Sequence, residues 1–290
     1  MTLVEIMVSL VLLSIFATVV FQIIQWHGGF LSLQTSREEV QQNARGAIQV
    51  MGGELRALHP SGIASATSTS ITAMVPRAWG VSCGGGTGAV SGAQFNAAFP
   101  PSDTTGFSSI SGLLADVTAA GAGTTLSPTA SDGTYATITA RSYANPATTA
   151  QCNGLSVAGT TLGYRFTVDN MPVIPPAGNL VMMYEKVTYD VGTNSADGKP
   201  WLRRSYGTGA QQPLAGPLRS DTSLAFRYYD STGALLATPL TAATMATVRR
   251  IGIRVTTKAT AHDPTRTVGS TQYNYQTTSD SVTVYLRNQP

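Results

Sequence analysis

The chain has 290 residues, 11% of them charged, a net charge of +3, and two cysteines, Cys83 and Cys152. That length can bury a sizeable core as one large domain or two small ones, and the small, dispersed charge with no Lys/Arg cluster among aromatics excludes a nucleic-acid footprint. Low charge with abundant Ala, Thr, Ser and Gly suits a loop-rich, β-rich surface outside the cytoplasm, where an even cysteine count fits one disulfide, Cys83 to Cys152; two buried free thiols are the alternative.

Residues 1–26 carry one charge, Glu5. Ile6 to Ile24 is uncharged and, as a helix, spans roughly the ~30 Å hydrocarbon core of a bilayer. Its polar members Ser9, Ser14 and Thr18 are small hydroxyls that can bond back to their own helix, and the Ser14/Thr18 pair admits a close neighbouring helix. A secretory signal peptide would need a basic segment and a small-residue cleavage site, and no Lys or Arg precedes Arg37. The missing basic flank is what removal of a basic leader would leave, so Met1 is expected to be a processed end.

Beyond Trp26 the pattern becomes amphipathic. Leu33, Val40, Ala44, Ala47, Met51, Leu55 and Leu58 recur at spacings of three, four and seven, which predicts a helix with one apolar stripe. Arg37, Glu38, Glu39, Gln42, Asn43, Arg45 and Glu54 are assigned to its polar face, and Pro60 ends it. Gly28 and Gly29, at about 1 kcal/mol each in a helix, predict a bend or a melted turn between the halves.

After Pro60 the periodicity shortens to that of strands: Ser70–Val75, Thr134–Arg141, Leu162–Val168, Leu180–Tyr189, Trp201–Tyr206, Leu224–Tyr229, Val248–Thr256 and Ser281–Arg287. Ile251, Ile253 and Val255 alternate with Arg250 and Arg254, and Val282, Val284 and Leu286 with Thr283 and Tyr285, as in antiparallel strands with one face buried against a helix. Between about 79 and 128 the chain is Gly/Ser/Thr-rich with weak periodicity and reads as long surface loops or an insertion. The expected organisation is α+β. A hydrophobic half-helix (1–26) continues as an amphipathic half-helix (27–59), and a β-rich head (60–290) carries the insertion.

MTLVEIMVSL resembles the mature amino terminus of type IV pilins and type II secretion pseudopilins: a hydrophobic first residue, Thr2, Leu3, Val4, then Glu5 and an unbroken apolar helix. The resemblance implies that a prepilin peptidase removes a basic leader and methylates the amine of Met1, and that Glu5 faces the amine of an adjacent subunit. A carboxylate in a low-dielectric helix bundle costs several kcal/mol unless paired, and a neighbour's ammonium provides the pair only in the correct axial register. A Glu5 lying at the headgroup level is the alternative. Gln41 to Leu58 is similar to the helix of PilW-type minor pilins and J-type pseudopilins. LAFRYYDSTG (Leu224–Gly233) and the closing VTVYLRN look like their last strands. Gln22 stands where major pilins carry proline.

The resemblance implies a non-enzymatic filament subunit without a cofactor, held in the inner membrane with its head outside the cytoplasm and later in the pilus. Membrane lipid, the assembly platform, the major pilin and other minor pilins would be its partners, whose assembly it helps to initiate or cap. A J-type pseudopilin of a secretion system is the nearest alternative. An adhesin acting through the insertion is compatible with a pilin.

A membrane-anchored hydrolase is a poorer reading. Gly80-Val81-Ser82-Cys83-Gly84 matches G-x-S-x-G, but a nucleophile elbow needs a following helix, and Gly84, Gly85, Gly86 and Gly88 oppose one. His27, His59 and His262 have no neighbours suggesting a triad or metal site. Asp190, Asn194 and Asp197 form an oxygen-rich loop that could wrap calcium, as some pseudopilin loops do. It lacks the D-x-D-x-D-G order and a distal Glu, so a turn between strands is the default.

Overall fold

The computed structural model describes residues 3–58, 62–87, 93–99, 112–116, 133–144, 162–169, 180–207, 209–262 and 275–286. One helix, α1, runs without interruption from Leu3 to Arg56, a length of about 80 Å. The melted turn expected at Gly28 and Gly29 is absent. An added Cβ at Gly28 would meet nothing within 4 Å, so no neighbouring element competes for that turn, and the helical hydrogen bonds outweigh the modest glycine cost.

The amphipathic stripe is realised from Val40 onward. Val40, Ala44, Ala47, Met51, Leu55 and Leu58 are all buried, joined by Ile48; Leu33 lies in the helix, and its side chain is outside the described residues. Fully burying a Leu or Met side chain contributes roughly 1.5–3 kcal/mol, so this stripe dominates the docking of the helix.

Short strands β1 (Ile63–Ala66) and β9 (Gln212–Ala215) flank the longer β2 (Ile71–Thr87), β7 (Leu180–Thr193) and β8 (Pro200–Tyr206). At the heart of this sheet β2 and β7 pair antiparallel from Ile71↔Tyr189 to Val81↔Leu180. A second sheet has the order β11 (Leu235–Leu236), β10 (Leu224–Tyr229), β12 (Arg250–His262), β13 (Tyr275–Tyr285). Its inner residues Phe226, Tyr228, Ile251, Ile253, Val255 and Val284 share one core with Met51, Leu55 and Leu58 of α1 and with Ile71, Val187 and Leu202 of the first sheet. The alternation predicted for the last strands is therefore the alternation that packs. A short helix, α2 (Ala242–Thr247), begins at a Thr241/Thr244 capping box.

Of the two readings of 79–128, long loops or an insertion, the loops are corrected where the chain is described. β2 continues to Thr87, and β3 (Ala93–Phe99) and β4 (Gly112–Asp116) are strands; residues 88–92, 100–111 and 117–128 lie outside the described ones. Together with β5 (Gly133–Ala144) and β6 (Leu162–Asp169) they close a ring in the order β2, β3, β6, β5, β4, β7 and back to β2. Each neighbouring pair is antiparallel. The end of β2 is Gly-rich and gives almost no hydropathy contrast, and β3 and β4 are short runs inside a Gly/Ser/Thr-rich stretch, whereas a closed ladder satisfies the backbone whatever the side chains.

Candidate functional site

Two features of α1 bear on function: the face its front half presents, and the way its last turns are fixed in the head. Ile6–Gly28 is long and apolar enough to cross a membrane, with mean hydropathy 2.5, and none of it is buried in the molecule. Leu12 is 62% exposed and Phe16 68%. The hydroxyls on this stretch are neutralised locally, Ser14 Oγ donating to the Val11 carbonyl and Thr18 Oγ1 to that of Ser14, both at 2.8 Å. Back-bonding removes polar demands from the surface and leaves an apolar rod. Glu5 lies on this rod, one turn from its start; its side chain, like residues Met1 and Thr2, is outside the described residues.

At the other end, Glu54 is the centre of a charge cluster. Its Oε1 accepts from Nη2 of Arg77 on β2 at 2.9 Å and from Nη2 of Arg204 on β8, and its Oε2 accepts from the hydroxyl of Tyr189 on β7. Arg77 Nε also donates to Glu185 Oε2 at 2.7 Å. The Arg204 guanidinium sits 4.0 Å from the centroid of the Tyr206 ring, and its Nε is buried without a partner. Two carboxylates and two guanidinium groups thus balance at the point where one helix meets three strands. Desolvation opposes the Arg77 charge, yet the Glu54 and Glu185 carboxylates raise its pKa overall. For Tyr189, burial and then the negative Glu54 disfavour the phenolate and push its pKa far up.

Sequence reasoning placed Glu54 on the polar face of the helix; the structure places it at 13% side-chain exposure inside the anchor. A signal was present. Glu54 is three residues after Met51 and four before Leu58, which puts it on the flank of the apolar stripe. Asn43, also assigned to the polar face, donates from Nδ2 to the Gly216 carbonyl at 3.1 Å, and Thr257 Oγ1 donates to the Val40 carbonyl at 2.8 Å. Gly216 is required there by close approach, since a Cβ would lie 2.6 Å from the Trp201 ring. Glu39 accepts a hydrogen bond from the Thr260 hydroxyl. The back half is therefore bonded to the head from Glu39 to Glu54.

The remaining candidates are not drawn into a common site. Both Asp190 oxygens are taken by Arg203, at 3.0 and 3.1 Å, and Gln211 adds a third donor. Asn194 Oδ1 accepts from the Ala196 amide, while Asp197 accepts from the Lys199 amide and the Trp201 indole. These bonds hold Asp197 below the usual carboxylate range against desolvation, which alone would raise it. The oxygens serve a turn and a cross-strand pair. Gly80 to Gly84 lie inside β2, pairing Val81↔Ala98, Ser82↔Ala97 and Gly84↔Asn96, so the G-x-S-x-G match sits in a ladder and not on a strand-to-helix elbow. Cys83 is on β2; Cys152 lies outside the described residues. His27 stands on α1, His262 ends β12, and His59 is outside the described residues. No family model, curated protein or solved structure matches the chain.

Proposed function

We propose that the chain is a minor pilin of the PilW type, a filament subunit that helps initiate or cap a type IV pilus. The observation that carries this reading is the division of α1. A membrane-length apolar front half leaves the head entirely uncovered, while the back half is welded to an antiparallel head. Such a rod needs lipid around it before assembly and other apolar helices after it. The Glu5 carboxylate then pairs with the terminal amine of the neighbouring subunit and fixes axial register, because only one stagger brings the opposite charges together in a low-dielectric bundle. The inner-membrane platform, the prepilin peptidase, the major pilin and other minor pilins are the partners of this reading. A J-type pseudopilin would use the same geometry and is separated from a pilin by which of those partners accompany the chain from membranes.

Glu5→Ala tests the mechanism. It should leave the membrane level of the protein unchanged or slightly higher, since a charge costing a few kcal/mol in lipid is gone, and should lower its amount in sheared filaments. Glu5→Asp should retain part of that incorporation at shorter reach. Normal incorporation of Glu5→Ala at an unchanged membrane level would overturn the register role and leave docking to the head alone.

A further inference from the structure

The face of the four-stranded sheet turned away from α1 is basic. Register places Arg254 opposite Ala225, Gly252 opposite Arg227 and Arg250 opposite Tyr229. Every second residue of β12 from Arg250 to Lys258 shares this face, while Ile251, Ile253 and Val255 are buried beneath. The row is about 26 Å long. Among the described residues elsewhere on the head, three guanidinium groups are paired with carboxylates, Arg77 and Arg204 with Glu54 and Arg203 with Asp190, while Arg249 donates to the Ala246 and Val248 carbonyls. On this face Arg219, Arg227 and Arg254 are exposed and meet no carboxylate among the described residues.

The nearby acids do not neutralise them. Asp280 pairs in register with buried Val255 and so belongs to the helix side. Asp230 Oδ1 is held in its own turn by the Thr232 and Ala234 amides. Asp221, exposed beside the hollow in the loop that carries Arg219, forms no ion pair with an arginine among the described residues. Burial and then the Lys199 ammonium hold Lys258 below the ordinary lysine value, so cations crowd this edge as well.

Arg219 and Arg254 line a hollow of ≈ 450 Å³ with the hydroxyls of Ser220, Thr222, Ser223 and Thr256. Past Arg254 it continues into a second hollow of ≈ 240 Å³ over Gly252, bordered by Arg227. The hydroxyls bond one another, Ser220 with Thr222 and Ser223 at 3.1 Å and Thr256 with Ser279 at 2.6 Å, which leaves the guanidinium forks as the groups that match carboxylates, acceptors of two bonds at once. The tyrosines are already engaged by the cations of this face: Arg250 lies over Tyr229 and Tyr285 at 5.0 and 5.7 Å, and Lys258 over Tyr275 at 4.0 Å. The cations also spread across β10, β12 and the loop at Arg219 instead of tracking one groove, which suits an acidic protein surface better than a phosphate backbone.

We propose that this sheet face binds a carboxylate-rich segment of a partner protein, with Arg219 and Arg254 gripping its side chains. The proposal stands whether or not the chain enters a filament. The test uses the full chain in detergent micelles and a labelled oligoglutamate peptide, followed by fluorescence anisotropy across a salt series. Binding is expected, weakening as salt rises. Arg219→Ala/Arg254→Ala should lower affinity about tenfold or more, Arg219→Lys/Arg254→Lys by less, and Arg37→Ala/Arg56→Ala, the same charge removed from exposed positions on α1, by less than about twofold. Near-UV circular dichroism confirms that each variant is folded. Absence of peptide binding, or equal loss in both alanine pairs, would overturn the proposal. Tighter binding of an oligothymidylate of equal charge would reassign the face to nucleic acid.

Discussion

The two halves of α1 share one backbone and differ in what covers them. Leu12 in the front half is 62% exposed, whereas Met51 and Leu55 in the back half are fully buried. A helix does not need its own molecule to bury it; it needs something of matching polarity. The back half finds that cover in the two sheets of its own head. The front half bonds Ser14 and Thr18 back to its own carbonyls and exposes a predominantly apolar cylinder, whose cover must come from outside the molecule. One element thus belongs to the head at one end and to its surroundings at the other.

Breaking the anchor should have the largest effect. Glu54→Ala leaves Arg204 at 14% side-chain exposure with neither a carboxylate nor a partner for its Nε. It also strips a carboxylate from Arg77 and an acceptor from Tyr189. Removing one member of a mostly buried ionic cluster typically costs about 3–5 kcal/mol, and urea unfolding of the full chain should show a shift of that order. Glu54→Gln keeps an acceptor and should lose less. An unchanged midpoint in both would mean that the apolar stripe alone holds the helix.

The same contrast explains what was legible in the sequence. The front half announces itself because apolar residues run without relief, and the back half because Val40, Ala44, Ala47, Met51 and Leu55 repeat at helical spacing. The strands at Leu224–Tyr229 and Arg250 onward were equally plain, since β-branched and aromatic residues alternate with arginines. Of the ring, the start of β2 and strands β5, β6 and β7 were legible as strands at Ser70–Val75, Thr134–Arg141, Leu162–Val168 and Leu180–Tyr189; the Gly-rich end of β2, the short β3 and β4, and the closure of the ring were not, because the order comes from long-range pairing. Glu54 escaped for a different reason. A charged residue on the edge of an apolar stripe reads as solvated until its partners are known; Arg77 comes from the second strand after the helix, and Tyr189 and Arg204 from strands far along the chain.

A second, smaller effect appears at high pH. Burial, reinforced for Tyr189 by Glu54, raises the pKa values of Tyr189 and Tyr228 well above the ordinary phenol. Both remain protonated in the folded head where the unfolded chain would ionise. Their contribution to stability is complete below about pH 10 and declines above it, by about 1.4 kcal/mol per pH unit for each group, until the folded pKa is reached. The denaturant midpoint should therefore fall steeply above about pH 10. Tyr228→Phe, which gives up only a hydrogen bond to the Thr67 carbonyl at 3.0 Å, should remove about half of that slope.

The smallest expected effect is the most direct statement of the contrast. A chain beginning at Leu31 lacks the whole apolar rod, yet among the described residues the covered ones of α1 begin at Ser36 and Val40. The new amino terminus frays within its first turn, where the first four amides of any helix lack intrahelical partners, and that turn precedes every bond between helix and head. Asn43 to Gly216, Thr257 to Val40 and the Glu54 cluster are all retained. The stability of the head should then change by less than about 0.5 kcal/mol, the range of substitutions that disturb no packed feature, while the shortened chain no longer partitions into membranes. Equal urea midpoints for the shortened and full chains, with membrane association lost only in the former, is the expected result. A loss of more than about 1 kcal/mol, well outside that range, would show that the rod supports the head it leaves, and the helix would have to be treated as one cooperative unit from end to end.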